Sequence, residues 1–424
     1  MTTMTNISKG RFGLLFSVML VAAAGNTALQ SLMPAIGRHL GIPDIWIAVA
    51  FSLSAIIWVV TAPLWARRAD RRGRRALMRL GLSGFIASML VCGTVLAAGL
   101  IGRIGPTTVF VIFLFGRAIY GAFGSAAPPA VQAYIAARSA GEQRTRNLAA
   151  IASSFGLGTI IGPALAPLFL FPPLGLAGPL FVFALLGALV LAALLTGLPD
   201  DRPVYPARGS VADYPSQGAI GPDGAADTGD DAPLRWRDAR IAPWLVIGTI
   251  GGHGHAALLG VIGFLVIDRL QLTIDEAQHA IAIVLMGGAT ATLLAQWGLI
   301  PRLRLSPRQL VSSGALVAAG GVLATGTATT LYGVTLGFAA ASMGFGLFRP
   351  GFTSGASLAV RPAEQNVAAG MVTSVNGIAY IAAPAAGVAL YGTWLPLPFL
   401  TIGAVMLCLG FWLFFAFSPS APEG

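Results

Sequence analysis

Twelve apolar runs follow one another along the chain, separated by short polar segments. A helix that crosses a bilayer needs about 20 predominantly apolar residues. The runs lie at about 12–38, 45–65, 75–100, 107–136, 147–171, 178–198, 242–266, 277–299, 309–328, 331–357, 366–391 and 394–418. Gly and Pro recur inside them, which membrane helices tolerate because neighbouring helices satisfy the freed backbone groups. One polar stretch is far longer than the rest. It runs from Pro199 to Arg240 and holds Asp200, Asp201, Asp213, Asp223, Asp227, Asp230 and Asp231 among repeated Pro and Gly. Too polar to bury a core, it reads as a flexible linker. The pattern predicts an all-α membrane protein whose twelve transmembrane helices form two pseudo-symmetric six-helix bundles. Their expected limits are 1–198 and 242–424, joined by a cytoplasmic linker over 199–241.

Composition excludes a water-soluble alternative. Charged residues make up 10% of the 424 residues and hydrophobic ones 56%, where a soluble domain carries about 25% charge. Lipid must therefore solvate most of the surface. Both cysteines, Cys92 and Cys408, fall inside apolar runs, so neither a disulfide nor a thiolate metal site is expected. Lys9 and Arg11 precede the first run in the manner of a signal peptide. That run continues to Leu40, too long for a signal core of about 7–15 residues, so cleavage is not expected.

The net charge of +10 changes the picture through its distribution. With the N-terminus inside, cytoplasmic segments hold 21 of the 26 basic residues and outer segments hold three: Arg38, Arg103 and Arg269. Arginine-rich short loops stay in the cytoplasm, which predicts both termini there. No basic face with interleaved aromatics appears, so nucleic acid is not an expected partner. All basic residues but Lys9 are Arg. With abundant Ala, Gly and Pro, this suggests a GC-rich bacterial gene and hence a bacterial inner membrane.

Seven of the Arg lie between Arg67 and Arg79. The loop reads Ala66-Arg67-Arg68-Ala69-Asp70-Arg71-Arg72-Gly73-Arg74-Arg75 and resembles the signature of the major facilitator superfamily at Asp70, Arg71, Gly73, Arg74 and Arg75. Ala66 and Arg68 depart from it. Arg117-Ala118-Ile119-Tyr120-Gly121-Ala122-Phe123-Gly124 in span four resembles a second pattern of that superfamily, with Tyr120 in place of a Gln. Gly158 to Ala166 in span five, with Gly162-Pro163, resembles the pattern associated with its twelve-helix drug/proton antiporters. The resemblance covers nearly the whole chain. It implies a secondary transporter without enzymatic activity or cofactor, working by alternating access, and a conformation-dependent latch at Asp70 and Arg74. The plainer reading of that loop is a topology anchor with a turn at Gly73. Pro163 removes one helix hydrogen bond, and Gly158 and Gly162 offer a smooth packing face.

Candidate substrate contacts are the polar groups within the spans. Arg117 and Arg349 are the intramembrane cations. An Arg at the bilayer centre costs roughly 2.5–3.5 kcal/mol on insertion scales, so each should face a partner or a wet cavity. The resemblance implies that spans four and ten line a central cavity, which would include Tyr120; structural bonding to carbonyls is the alternative. His253 and His255 stand in span seven. Residues two apart point about 200° apart on a helix, so no metal site is expected and at most one His faces a cavity. Either could carry a proton or simply pack. Asn26 and Gln30 share a face of span one, and Asn376 lies in span eleven; each is a cavity candidate or an interhelical hydrogen bond. No acidic residue is expected at mid-membrane. Two Arg, a His and no buried carboxylate favour an anionic small-molecule substrate. The expected function is proton-coupled export by a monomer in the lipid bilayer, with import of a small organic anion by proton symport as the alternative.

Overall fold

A computed structural model describes residues 7–136, 157–172, 174–199, 234–361 and 364–415, with Arg138, Asn147, Ile151 and Ser154 as isolated positions. The helices are α1 (Lys9–His39), α2 (Asp44–Arg72), α3 (Arg74–Leu100), α4 (Pro106–Ile119), α5 (Ala127–Ala136), α6 (Leu157–Phe169), α7 (Gly178–Gly197), α8 (Ala242–Leu270), α9 (Ile274–Leu293), α10 (Ile300–Leu303), α11 (Pro307–Thr327), α12 (Leu331–Leu358), α13 (Gln365–Thr393) and α14 (Leu397–Phe415). A π turn at Tyr120–Gly124 carries α4 toward α5, and another at Leu294–Leu299 joins α9 to α10. Among the described residues eleven helical spans are long and apolar enough to cross a membrane. The expected fifth span corresponds to the shorter α6. Most of its first part, and most of the expected linker, lie outside the described residues.

The described helices divide into two compact units. The first holds α1 to α7 except Asp44–Ala48, which group with α8 to α14 in the second. In the first unit α3 packs against α7, α4 and α1, and α1 against α7. In the second, α11 packs on α12 and α14, and α8 on α13, α12 and α14.

Local chemistry sets the helix ends. Ser306 and Gln309 form a reciprocal capping box at α11, as do Thr273 and Glu276 at α9, satisfying amide groups that have no partner in the first turn. Gly73 breaks α2 from α3 at φ +85°, a left-handed conformation that a side chain would disfavour. Helix C-termini receive arginines. Arg75, at the start of α3, donates to the Leu195 carbonyl in the last turn of α7. Arg308, at the start of α11, donates to Leu413 O at 3.1 Å and Phe414 O at 2.9 Å in the last turn of α14. Each cation meets carbonyls that a helix leaves unbonded at its negative end. The same device thus recurs in corresponding helices of both units.

Backbone-to-backbone packing is tightest between α11 and α12. A Cβ added at Gly314 would lie 2.7 Å from Gly344 O, and one at Gly337 would lie 2.7 Å from Thr325 N. Small residues allow this approach, and dispersion between closely packed backbones stabilises helix pairs in lipid.

Candidate transport site

The first unit closes over its intramembrane cation. Arg117, near the end of α4, is 0% exposed. Its guanidinium carbon lies 4.6 Å from the centroid of the Phe51 ring on α2 and 5.1 Å from that of Tyr120. Tyr120 is itself buried, 5.4 Å from the Trp58 ring and 6.2 Å from that of Phe85. A planar guanidinium stacks on aromatic faces, so α2, α3 and α4 enclose the charge in a ring-lined pocket. Of the two readings open for Arg117, this is the geometry of a packed residue. The expectation that Arg117 and Tyr120 stand at a water-facing wall is not what this unit displays.

The π turn starting at Tyr120 frees backbone carbonyls, and α2 supplies partners. The Trp65 indole Nε1 donates to Ala122 O at 2.6 Å, and the Thr61 hydroxyl donates to Gly121 O at 3.1 Å. Neighbouring polar side chains commonly meet groups freed in this way. On α1, Asn26 is 0% exposed, and neither its carboxamide nitrogen nor its oxygen has a hydrogen-bond partner among the described residues. Gln30, one turn on, is half-buried. A buried carboxamide without a partner costs about 1–3 kcal/mol.

Gly158 and Gly162 bring α6 against α1. A Cβ at Gly158 would lie 2.6 Å from the Ala23 Cβ, and one at Gly162 would run into the Ala24 carbonyl oxygen. The Thr27 hydroxyl, also on α1, lies 3.2 Å from Gly158 O. Pro163 is buried beside this seam. At the candidate latch, Arg74 is 2% exposed at the start of α3. Asp70 and Arg71 lie on α2, but their side chains are outside the described residues.

The second unit brings His255 and Arg349 together. His255 on α8 stacks on Phe345 of α12, with ring centroids 4.6 Å apart and planes inclined by 15°. Arg349 is one turn beyond Phe345 on the same helix face. It acts on the His255 ring electrostatically, and both side chains are half-buried. His253 is held differently. Its Nδ1 lies 2.8 Å from Thr249 O, and since a carbonyl can only accept, Nδ1–H is the donor there. Asn376 on α13 is half-buried. Among the described residues no three His, Cys, Asp or Glu side chains converge in metal-binding fashion.

One charged group escaped sequence reasoning. Arg240, just before α8, donates to Glu364 through Nη1 and Nη2, both at 3.0 Å, and to Asp238 through Nε at 3.1 Å and Nη2 at 2.8 Å. Glu364 stands immediately before α13 and also accepts from the Arg361 backbone amide at 2.9 Å. Hydrogen bonds from Arg240 hold both carboxyl groups below their ordinary acidity range. The cluster ties the starts of α8 and α13. A second tie joins their far ends, where the Tyr391 hydroxyl donates to Asp268 Oδ2 at 2.6 Å.

Comparison with known proteins agrees with this architecture. The chain is similar to the human organic anion transporter MFSD10 (TETRAN), with a TM-score of 0.64 and 20% identity over 96% of this chain and 100% of that one. It is also similar to a point mutant of the nucleoside transporter NupG, with a TM-score of 0.68 and 15% identity over 96% of this chain and 99% of that one. Multidrug resistance protein 2 of Bacillus subtilis (strain 168) is 28% identical over 158 residues, 37% of this chain and 36% of that protein. The Staphyloferrin B transporter of Staphylococcus aureus (strain NCTC 8325 / PS 47) is 26% identical over 166 residues, 37% of this chain and 36% of that protein. The chain thus matches about a third of the length of these curated relatives. The model of the Major Facilitator Superfamily matches residues 15–384. With its helical spans and two compact units, the chain is a multi-pass membrane protein and belongs to the Major Facilitator Superfamily.

Proposed function

We propose that this transporter is a proton-coupled exporter of small organic compounds carrying an acidic group. The observation that carries the reading is the His255–Arg349 pair: two basic side chains, half-buried within a span, brought to one place by α8 and α12. A guanidinium in a low-dielectric setting binds carboxylates through short, charge-assisted hydrogen bonds. Similarity to a multidrug resistance protein and to an organic anion transporter supports export and substrate class respectively.

In this reading the halves 1–198 and 242–424 alternate access to the substrate as a monomer, with 199–241 as their linker. Both termini lie in the cytoplasm of a bacterium, by the 21-to-3 excess of basic residues. Asp70 and Arg74 then form a cytoplasmic latch at the Gly73 break, and the Gly162-Pro163 seam packs α6 closely on α1.

Inverted membrane vesicles with an acidified lumen test the proposal. An antiporter drives an acidic dye such as fluorescein into the lumen as protons leave. Arg349→Ala should reduce that uptake at least tenfold. Uptake of ethidium equal to that of fluorescein would overturn the substrate class. Release of preloaded fluorescein together with protons would instead establish symport.

A further inference from the structure

The segment leading into α8 is a short, firmly held turn with one-sided chemistry. Leu234 and Ile241 at its ends are buried, while Arg235, Trp236 and Arg237 between them are exposed, Trp236 by 51%. The backbone is fixed: Asp238 N donates to Arg235 O at 2.9 Å, Ile241 N to Asp238 O at 3.1 Å, and Arg240 N to Asp238 Oδ1 at 3.0 Å. Among the described residues, the acids nearby, Asp238 and Glu364, are already engaged. Asp238 and Glu364 both accept from Arg240, and Glu364 also lies 3.7 Å from Arg361. Among the described residues, Arg235 and Arg237 therefore face outward with no carboxylate opposing them. The side chain of Arg361 is 59% exposed at the same end of the unit.

The position of this turn specifies its surroundings. An apolar span begins at Ala242, so the residues just before it lie at the level of the lipid headgroups. Indole rings favour that level, with an apolar body in the acyl boundary and a polar N–H in the wet layer. Two flanking guanidiniums match phosphodiester oxygens in geometry and charge. A Trp alone would read as a generic interfacial anchor. A Trp between two outward-facing arginines, on a turn whose backbone cannot swing away, discriminates by headgroup charge.

We propose that Arg235, Trp236 and Arg237 form a binding site for the headgroup of an anionic phospholipid, with Arg361 at its edge. The guanidiniums take the phosphate and the indole lies against the glycerol and upper acyl chain. The Arg240–Asp238–Glu364 cluster is the support that holds the site open. Because the same cluster fixes the start of α13, lipid bound there acts on the helix that carries Asn376. The inference is independent of what the protein transports.

The test uses the purified full chain in phosphatidylcholine nanodiscs with a graded fraction of phosphatidylglycerol. Native mass spectrometry reads the phosphatidylglycerol retained, and the difference between wild-type and Trp236→Phe spectra isolates the Trp236 emission. Arg235→Gln/Arg237→Gln should lower retention about tenfold or more, since each basic residue near an anionic surface contributes about fivefold. Arg302→Gln/Arg304→Gln, the same charge loss at another exposed pair, should lower it far less. In the wild-type protein, brominated phosphatidylglycerol should quench Trp236 more than brominated phosphatidylcholine does. Equal losses from the two arginine pairs, or equal quenching by the two lipids, would overturn the site. The quenching arm needs no arginine variant, so a poorly folding variant leaves the proposal exposed to refutation.

Discussion

Arg117 and Arg349 occupy corresponding spans of the two units and meet opposite environments. Arg117 is sealed between the Phe51 and Tyr120 rings with no exposed surface. Arg349 is half-buried, one turn from the Phe345 ring on which His255 stacks. A cation within a span is thus not by itself a mark of substrate contact. Its neighbours decide. Where α2 supplies Phe51 and α4 turns through a π segment, the guanidinium becomes part of the packing. Where α12 faces a histidine instead, it stays reachable. The first unit packs its arginine among aromatic rings, and the second leaves its arginine half-buried beside His255.

Substituting each arginine separates these roles. Arg117→Ala empties a fully enclosed pocket and should cost about 3 kcal/mol or more, seen as a large fall in melting temperature and folded yield. Arg349→Ala should shift stability by about 1 kcal/mol or less while reducing transport of acidic dyes at least tenfold. If both variants melt alike, or if Arg117→Ala folds normally and fails only in transport, the contrast is wrong.

A glycine substitution tests the seam in the first unit. Gly162→Val must push against the Ala24 carbonyl and Thr27, and should cost about 1–3 kcal/mol by overpacking. Gly392→Ala, where an added Cβ meets nothing within 4 Å, should leave stability within about 0.5 kcal/mol of the wild type, with a matching melting temperature.

The smallest effect sharpens the picture at the start of α8 and α13. Hydrogen bonding from Arg240 lowers the Glu364 pKa below its ordinary value of 4.5. A depressed carboxylate stabilises the fold above the unfolded value, and that stabilisation is lost as pH falls through the folded one. Wild-type stability should therefore drop on acidification below about pH 4.5 more steeply than that of Glu364→Gln. Coincident acid limbs for the two proteins would mean that the cluster contributes nothing measurable. Restored stability in Arg240→Glu/Glu364→Arg, beyond either single change, would show that pairing matters and not the individual residues.

Much of this was legible in the residues themselves. Lipid solvation forces apolar runs of fixed length, so the spans could be read directly, and the divergence of His253 and His255 followed from helix geometry alone. The separate partners, Thr249 O for one and Phe345 for the other, could not. Partners on other helices lie far along the chain. Arg240 and Glu364 are 124 residues apart, and no period or motif links an arginine before one span to an acid before another. The closure of Arg117 was hidden for the same reason, since Phe51 belongs to α2 and looks like any other apolar residue in its run. The π turn at Tyr120 left no mark in a Gly-rich sequence whose carbonyl partners, Thr61 and Trp65, sit on another helix.

The arginine forks at the ends of α7 and α14 bear on how the molecule is made. Translation delivers Arg75 long before Leu195, and Arg308 before Leu413 and Phe414. Each of these contacts therefore forms only after the closing helix of its bundle has left the ribosome. A chain truncated before α14 would deprive Arg308 of both carbonyls and leave α11 without that tie to the last helix.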